Sequence, residues 1–526
     1  MYLTEPDKIA EIDRYAAESL GIPVRELMAR AGKRLAEETA KRLSGSGRIL
    51  ILVGPGNNGG DGYAAALELA DLGYEILICD VLGVGQKSEA GKHFASLAEK
   101  RFGKPILIDQ LANDDINGSS AVIDAIFGTG ARFILPYEIM MLMTRIAAAP
   151  PSLLRVAADA PTGIDAGSGR ANRISFRADL TVTFSFGKRG MFAYPAREYC
   201  GEIVIADIGL PCEELCRHFP PAGCLLDHDT AAALLPHRSQ NSHKGSFGRL
   251  LMLAGSQKYR GAASLAASAA LRAGTGVLTL ASHSSVLDGA LLRSPELLAM
   301  PIPDFERMDR EALRLVFAAA ERASAIVIGC GSGTSATLEG ALWELLASEG
   351  CPILIDADAL NSLALHREES LHRLKKSKRE IVLTPHPLEL SRLTGKPAED
   401  IQAMRIDSAR ALAEATGVTV VLKGAGTVIA TSGELVTLNP TGSSALAKAG
   451  SGDVLAGMIG AFLAQGLSPH DAASLGVYLH GAAGDRLAER FSEFGVLPSD
   501  LPTAAAEVLR EIEQMKKSAR RPSVRI

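Results

Sequence analysis

The chain has 526 residues, 47% hydrophobic and only 5% aromatic, with a formal charge of -5 at pH 7. That length exceeds one ordinary core and favours two or three domains, and a mildly negative chain without a long basic stripe excludes a nucleic-acid binder. The opening Met1-Tyr2-Leu3-Thr4-Glu5 lacks an apolar signal core and no stretch reaches the roughly 18 apolar residues of a membrane span, so a cytoplasmic, membrane-free protein is expected. The basic run Lys375-Lys376-Ser377-Lys378-Arg379 reads as a solvated face.

In chain order, a helical pattern from Asp7 to about Leu43 precedes the apolar run Arg48 to Val53, which reads as a buried strand. The loop GPGNNGGDG (54–62), an Ala/Leu helix to about Leu72 and a strand from Glu75 to Val81 complete a βαβ unit, which places ligands at the carboxyl ends of its strands. Two further strands end at Asp124 and Asp159, delivering acids to the same edge. A Pro- and Cys-containing stretch near 210–223 marks the domain boundary. Its cysteines Cys200, Cys212, Cys216 and Cys224 lack paired Cys-x2-Cys turns and read as reduced structural thiols, although His218 and His228 lie nearby. A second α/β pattern follows, with a strand over 249–253, a helix from Gly261 to Arg272, and strands at 277–281, 325–328, 352–355, 381–383 and 418–422. Two α/β domains with separate loop edges imply two sites.

Residues 54–59 match G-x-G-x-x-G, and Asp80 ends the next strand, so a dinucleotide-binding dehydrogenase is one reading of the first half. Against it stand Asn57, Asn58 and Asp61, polar side chains where close backbone approach needs none. With VIDAIFGTG (122–130) and DAPTGIDAGSG (159–169), the loops resemble those of the epimerase domain of NAD(P)H-hydrate repair enzymes, over about 200 residues. The resemblance implies that Asn57, Asn58, Gly59, Gly60 and Asp61, with Gly128, Thr129, Gly130, Ala131, Arg132, Phe133 and Ile134, hold substrate. By the same likeness Asp159 contacts substrate catalytically, and Asn58, Asp124 and Thr162 ligate a potassium ion. Thr162 replaces the usual Ser but keeps a hydroxyl, whereas residues 131–136 depart from the usual Leu-x-Arg-Pro run. Lys188, in FSFGKRG, is a further polar candidate, with an exposed turn lysine the expected reading.

In the second half, TGSSALAKAGSGDVLAG from Thr441 turns into an apolar helix over 454–464. The amides of Gly450, Ser451 and Gly452 at that helix start suit a transferring phosphoryl group, and Asp453 can take a proton from the attacking hydroxyl; capping the helix is its alternative role. The loop resembles the G-x-G-D signature of the ribokinase-like superfamily. HKGSFGRLLMLAGSQKYRGAASLAA (243–267), DADALN (356–361), TPHPLEL (384–390), VVLKGAGTVIA (420–430) and LGVYLHGAAGD (475–485) extend the likeness to the ADP- or ATP-dependent NAD(P)H-hydrate dehydratase. It implies nucleotide binding by Lys423, Gly424, Ala425, Gly426, Thr427 and Gly452, and substrate contact by Ala262, Gly333, His386 and Asp453. The family's GPGLG stands here as GCGSG (329–333), with the turn expected to survive. The absence of a Walker A sequence removes ordinary P-loop ATPases.

Together these likenesses imply an α/β chain of two domains. A Rossmann-like α/β/α sandwich over 1–216 would be an NAD(P)H-hydrate epimerase, and a ribokinase-like α/β/α sandwich over 217–526 a dehydratase using Mg2+ with ADP or ATP. The implied activities are isomerase and lyase, the partners are small-molecule substrates, and a homo-oligomer is expected. Two rival readings remain: a ribokinase-like vitamin or sugar kinase with a nucleotide-binding first domain, and a first half that binds without turnover.

Overall fold

The computed structural model describes residues 1–130 and 134–519. It divides into two compact units, Tyr2–Gly223 and the chain from Cys224 onward together with Met1. Ala131, Arg132 and Phe133 lie outside the described residues.

Seven parallel strands form the first unit's sheet, in the order Ile106–Leu107, Glu75–Asp80, Arg48–Val53, Ala121–Ala125, Leu154–Ala158, Leu180–Phe184 and Glu202–Ala206. Arg48–Val53 is central because both its faces are apolar: Ile49, Ile51 and Val53 enter one core cluster, and Leu50 and Leu52 enter the other. A strand buried on two sides needs no polar alternation, which is why it reads as one apolar run. The strand order reverses between Arg48–Val53 and Ala121–Ala125, so the loops after these two strands open a crevice at the carboxyl edge.

The helical pattern expected from Asp7 to Leu43 is interrupted. Helices Ile9–Glu18 and Val24–Ala40 are separated at Gly21-Ile22-Pro23, where Pro23 has no N–H to continue a helix. The Cys-containing stretch expected as a connection also contains a helix, Cys212–His218. It buries Leu215 with Ile12, Leu27, Phe186 and Ile208 and leaves His218 Nε2 2.9 Å from the Tyr15 hydroxyl. The compact units part at Gly223/Cys224, just beyond that helix.

In the second unit the strands run Leu298–Pro301, Val277–Ser282, Arg249–Leu253, Ala325–Ile328, Ile353–Ile355, Ile381–Leu383, Thr419–Leu422, Val428–Ala430 and Thr437–Leu438. They are parallel through Thr419–Leu422, after which Val428–Ala430 pairs antiparallel with both neighbours. Helix Ser451–Ala464 starts three residues before the expected Val454 and packs on helix Arg260–Arg272 and strand Ala325–Ile328. Its small residues permit that approach: a Cβ on Gly457 would overlap the Ala266 carbonyl oxygen. Close packing on the sheet fixes where the helix begins, and so where Asp453 points. No helix among the described residues is long and apolar enough to cross a membrane.

Candidate active sites

The first unit's crevice is a cavity of 590 Å³, lined by Asn57, Asn58, Asp61, Thr129, Gly130 and Asp159 among the sequence candidates. Gly59, Gly60 and Gly128 are buried beside it, while Ile134 is exposed and does not line it. Gly128 has φ +58, and a Cβ there would lie 2.8 Å from Asn58 Cγ, so only glycine lets the second loop close over Asn58. Asp80, the acid a dehydrogenase would aim at a ribose, instead accepts the backbone amides of Leu82, Gly83 and Gly85.

Asp159 follows strand Leu154–Ala158 with φ +64, an unusual conformation for an acid that turns its carboxylate into the cavity. It accepts hydrogen bonds from Lys188 Nζ and from Thr183 Oγ1, the latter at 3.1 Å. Lys188 is 1% exposed, which corrects its reading as an exposed turn lysine. Its two-residue strand pairs with Leu3 and Thr4, and this pairing draws the side chain inward to Asp159. Lys188 and Asp159 thus form a buried ion pair. Three further acids, Asp7, Asp13 and Asp61, line the same cavity. Burial, then the charge of Asp159, pushes Asp61 well above the usual carboxylate range and raises Asp13 to about 6. Asp13 was not legible as a site residue, being one charge in a charged helix.

Beside the cavity, Asp124 is fully buried and accepts Thr162 N at 2.7 Å, Thr162 Oγ1 at 2.8 Å and Ile126 N at 3.2 Å. Neither side-chain polar atom of Asn58 has a hydrogen-bond partner although both are buried. An orphaned amide oxygen, a threonine hydroxyl and a carboxylate with no cationic partner among the described residues form an all-oxygen donor set that fits a hard cation of low charge.

At the second site, Gly450 (φ +98) is the N-cap of helix Ser451–Ala464, without a side-chain cap, and Asp453 stands in the first turn. In that first turn Asp453 also faces the positive end of the helix, so the helix-stabilising role stands beside the chemical one. Asp356, at the start of helix Ala357–Leu363, accepts Lys423 Nζ at 2.6 Å and Thr384 Oγ1 at 2.7 Å. The Lys423 ammonium also lies 3.5 Å from where a Cβ on Gly452 would stand, so cation, helix start and Asp453 share one spot. Burial, then the Asp356 charge, raises Asp453 to about 7 against the opposing pull of Lys423 and a hydrogen bond from Cys330. Cys330 is fully buried, with Sγ 3.8 Å from Asp356 Oδ2, and burial keeps its thiol protonated. Sequence reasoning saw Cys330 only as a departure in a turn and did not single out Asp356 as a site residue.

The remaining candidates surround this centre. His386 caps helix Pro387–Thr394, its Nδ1 accepting Leu388 N at 3.1 Å and Glu389 N at 3.2 Å, with Nε2 3.3 Å from Glu389 Oε1. Gly333 donates its amide to Asp358 Oδ2 at 2.9 Å, and the turn over 329–333 keeps glycine at its first, third and fifth positions, with Gly331 against Ala262. Gly424, Ala425 and Gly426 form the turn after strand Thr419–Leu422, tied by Thr427 Oγ1 to Gly424 O at 2.9 Å and by Arg405 to the Leu422 and Lys423 carbonyls.

Comparison with known proteins agrees with this two-site architecture. Residues 250–506 match the family described as NAD(P)H-hydrate dehydratase, and residues 24–190 match the YjeF-related protein N-terminus. A bifunctional NAD(P)H-hydrate repair enzyme of Moorella thermoacetica is 35% identical over 528 residues, covering 98% of each chain. The Escherichia coli K12 enzyme of the same name is 33% identical, covering 94% of this chain and 91% of its own. Among solved structures, an ADP/ATP-dependent NAD(P)H-hydrate dehydratase from Bacillus subtilis, co-crystallised with ATP and Mg2+, is 32% identical over 55% of this chain and 99% of its own, with a TM-score of 0.49. By near-full-length similarity the chain belongs to the family of bifunctional NAD(P)H-hydrate repair enzymes.

Proposed function

We propose that the chain repairs hydrated reduced nicotinamide cofactors by two reactions, epimerisation in the domain over 1–216 and nucleotide-dependent dehydration in the domain over 217–526. Hydration leaves a hydroxyl on the carbon beside the ring nitrogen, and hydroxide is a poor leaving group. At the second site Asp453 takes the hydroxyl proton as the oxygen attacks the terminal phosphate of ADP or ATP. The amides of Gly450, Ser451 and Gly452, with the Lys423 ammonium, carry the transferred charge. The ring nitrogen's lone pair then expels phosphate, and loss of a proton from the adjacent ring carbon restores the double bond. Lys423, Gly424, Ala425, Gly426, Thr427 and Gly452 bind the nucleotide; Ala262, Gly333 and His386 face the hydrate. Magnesium is read as arriving on the nucleotide. Asp356 and Asp453 offer oxygens, but the third member of their group, the Cys330 thiol, is a poor ligand for so hard an ion.

The hydroxyl carbon is stereogenic, so a dehydratase taking the S hydrate strands the R hydrate. The first unit reconnects them by reversible, nitrogen-assisted loss of the hydroxyl, with Asp159 against the ring. Asn57, Asn58, Gly59, Gly60 and Asp61, together with Gly128, Thr129 and Gly130, hold the rest of the molecule. Asn58, Asp124 and Thr162 would hold potassium, which when bound supplies a fixed positive charge beside the cavity. Replacing potassium by choline should slow epimer exchange and lower the unfolding temperature of the first unit. A homo-oligomer and a cytoplasmic location complete the proposal.

The observation that carries the dehydratase reading is the meeting of Lys423, Asp356 and Asp453 at one helix start. Its test supplies the protein with a hydrate epimer mixture, magnesium and ADP or ATP and follows recovery of reduced-nicotinamide absorbance. Recovery undiminished in Asp453→Ala sinks the reading, and a stable phosphorylated product would favour the small-molecule kinase.

A further inference from the structure

Epimerisation needs more than the one acid already placed in the first cavity. For the hydroxyl to leave, a neutral acid must protonate it; for water to return to the other face, a base must accept a proton. Asp159 is engaged by donors: Lys188 and Thr183 both donate to its Oδ1, an arrangement suited to accepting a proton rather than to delivering one. The cavity wall opposite in chain origin comes from helix Ile9–Glu18, which contributes Ile9, Ile12 and Asp13. Ile12 and Ala16 bury this helix's inward face, yet Asp13 also turns to the cavity, among Leu27 and Met28 of the next helix. Among the described residues Asp13, partly buried at the cavity, has neither an ion-pair nor a hydrogen-bond partner, so its carboxyl is free to meet a ligand there. Asp13 lies close enough to Asp159 for that carboxylate's charge to oppose its ionisation. Asp7 and Asp61 also line the cavity, and burial pushes Asp61 well above the usual carboxylate range, which suits it to a standing hydrogen-bond donor.

We propose that Asp13 is the general acid of epimerisation: it protonates the hydroxyl of the hydrate, while Asp159 accepts the proton of the water that returns. The carbon–oxygen bond breaks as the ring nitrogen's lone pair forms a carbon–nitrogen double bond, and the hydroxyl leaves as water carrying the Asp13 proton. Water then adds to the opposite face, the double-bond electrons return to nitrogen, and Asp159 receives the surplus proton. One proton has left Asp13 and one has reached Asp159, so exchange with solvent, or the reverse reaction with the roles swapped, resets the pair. No oxidant or further reactant is required. The proposal rests on the epimerase reading of this unit.

The test uses the full chain without nucleotide or magnesium, so that dehydration is idle, and a purified R hydrate in 18O-water. Conversion to the S hydrate and label incorporation are followed together. The wild-type protein should accelerate both; failure to exceed the buffer rate sinks the epimerase reading itself. Asp13→Asn should slow both by about a hundredfold or more with KM little changed. Asp13→Glu, which disturbs packing more but keeps an ionisable proton, should retain about a tenth of the rate. A rate for Asp13→Asn within about threefold of wild type overturns the proposal. So does Asp13→Glu proving worse than Asp13→Asn, the ranking a packing role would give, or the loss appearing in Asp61→Asn and not in Asp13→Asn.

Discussion

Asp453 and Cys330 form the most informative pair at the scale of single residues. Asp453 works as a base only when ionised, and its carboxyl is raised to about 7, first by burial and then by Asp356. Dehydration of the S hydrate should therefore fall about tenfold per pH unit below that value and level off above it. The neighbouring Cys330 thiol favours the ionised form of Asp453, so Cys330→Ala should move the limb to higher pH. A profile that is flat between about pH 5.5 and 8 contradicts both statements. The same shift has a stability consequence. A carboxyl whose pKa rises from 3.8 unfolded to about 7 folded costs the fold nothing at low pH, and stability is lost as pH climbs through that window. Asp453→Asn should then raise the unfolding temperature of the second unit at pH 8 and leave it unchanged at pH 4, while abolishing turnover. At the first site, Lys188→Met leaves Asp159 buried without its cation and should cost about 3 kcal/mol in the first unit's unfolding free energy. Asp159 and Asp453 were legible in the sequence because each ends a strand or opens a helix inside a glycine-rich loop. Asp13 was not, and Lys188 only as a candidate with an exposed reading, since nothing in their local pattern separates an inward charge from a solvated one. Only the pairing of Leu3 and Thr4 with residues 187–188 decides the matter for Lys188.

Individual elements were legible where their periodicity is strong and blurred where two elements abut. Arg48–Val53, Ala121–Ala125 and Arg249–Leu253 fall where their apolar runs placed them, because strands buried on both faces leave no polar interruption. The first helical stretch was read as continuous because Ile22 and Pro23 sit between two segments of similar composition, and the break matters: it lets Ile9–Glu18 turn Asp13 toward the cavity. Helix Ser451–Ala464 shows how packing further along an element positions the group at its start. Its separation from Arg260–Arg272 is set by Gly457 against the Ala266 carbonyl, a backbone neighbour that cannot swing away. Gly457→Val should therefore destabilise the second unit by about 3 kcal/mol, at the upper end of overpacking costs. By displacing the helix start it should also lower dehydratase kcat far more than Gly289→Ala, a helical glycine with open space around it. Equal effects of the two substitutions on kcat would show that the helix position does not set the geometry of Asp453.

For the molecule as a whole, the two compact units keep their candidate groups apart in sequence: the acids lining the first cavity all precede residue 190, and the candidates of the second site all follow residue 260. Each site carries its own charge balance, Lys188 for Asp159 and Lys423 for Asp356, and no candidate residue serves both. The only species they must share is the free hydrate, whose two hands interconvert at one site while one hand is consumed at the other. Two point variants of the full chain separate these roles. Asp159→Ala with magnesium and ADP or ATP should rapidly recover reduced cofactor only from the S part of an epimer mixture, and then slow to the spontaneous epimerisation rate. Asp453→Ala should recover none, while still equilibrating the two hands. Mixing the two inactive-in-part proteins should restore rapid recovery from both hands, because the R hydrate released as S by one protein can be dehydrated by the other. If the mixture still stalls after the S fraction is spent, the hydrate does not pass through solvent between the sites, and repair demands both activities in one chain. The amplitude of the fast phase, set by the S fraction for Asp159→Ala and by the whole pool for the mixture, distinguishes these outcomes without any absolute rate.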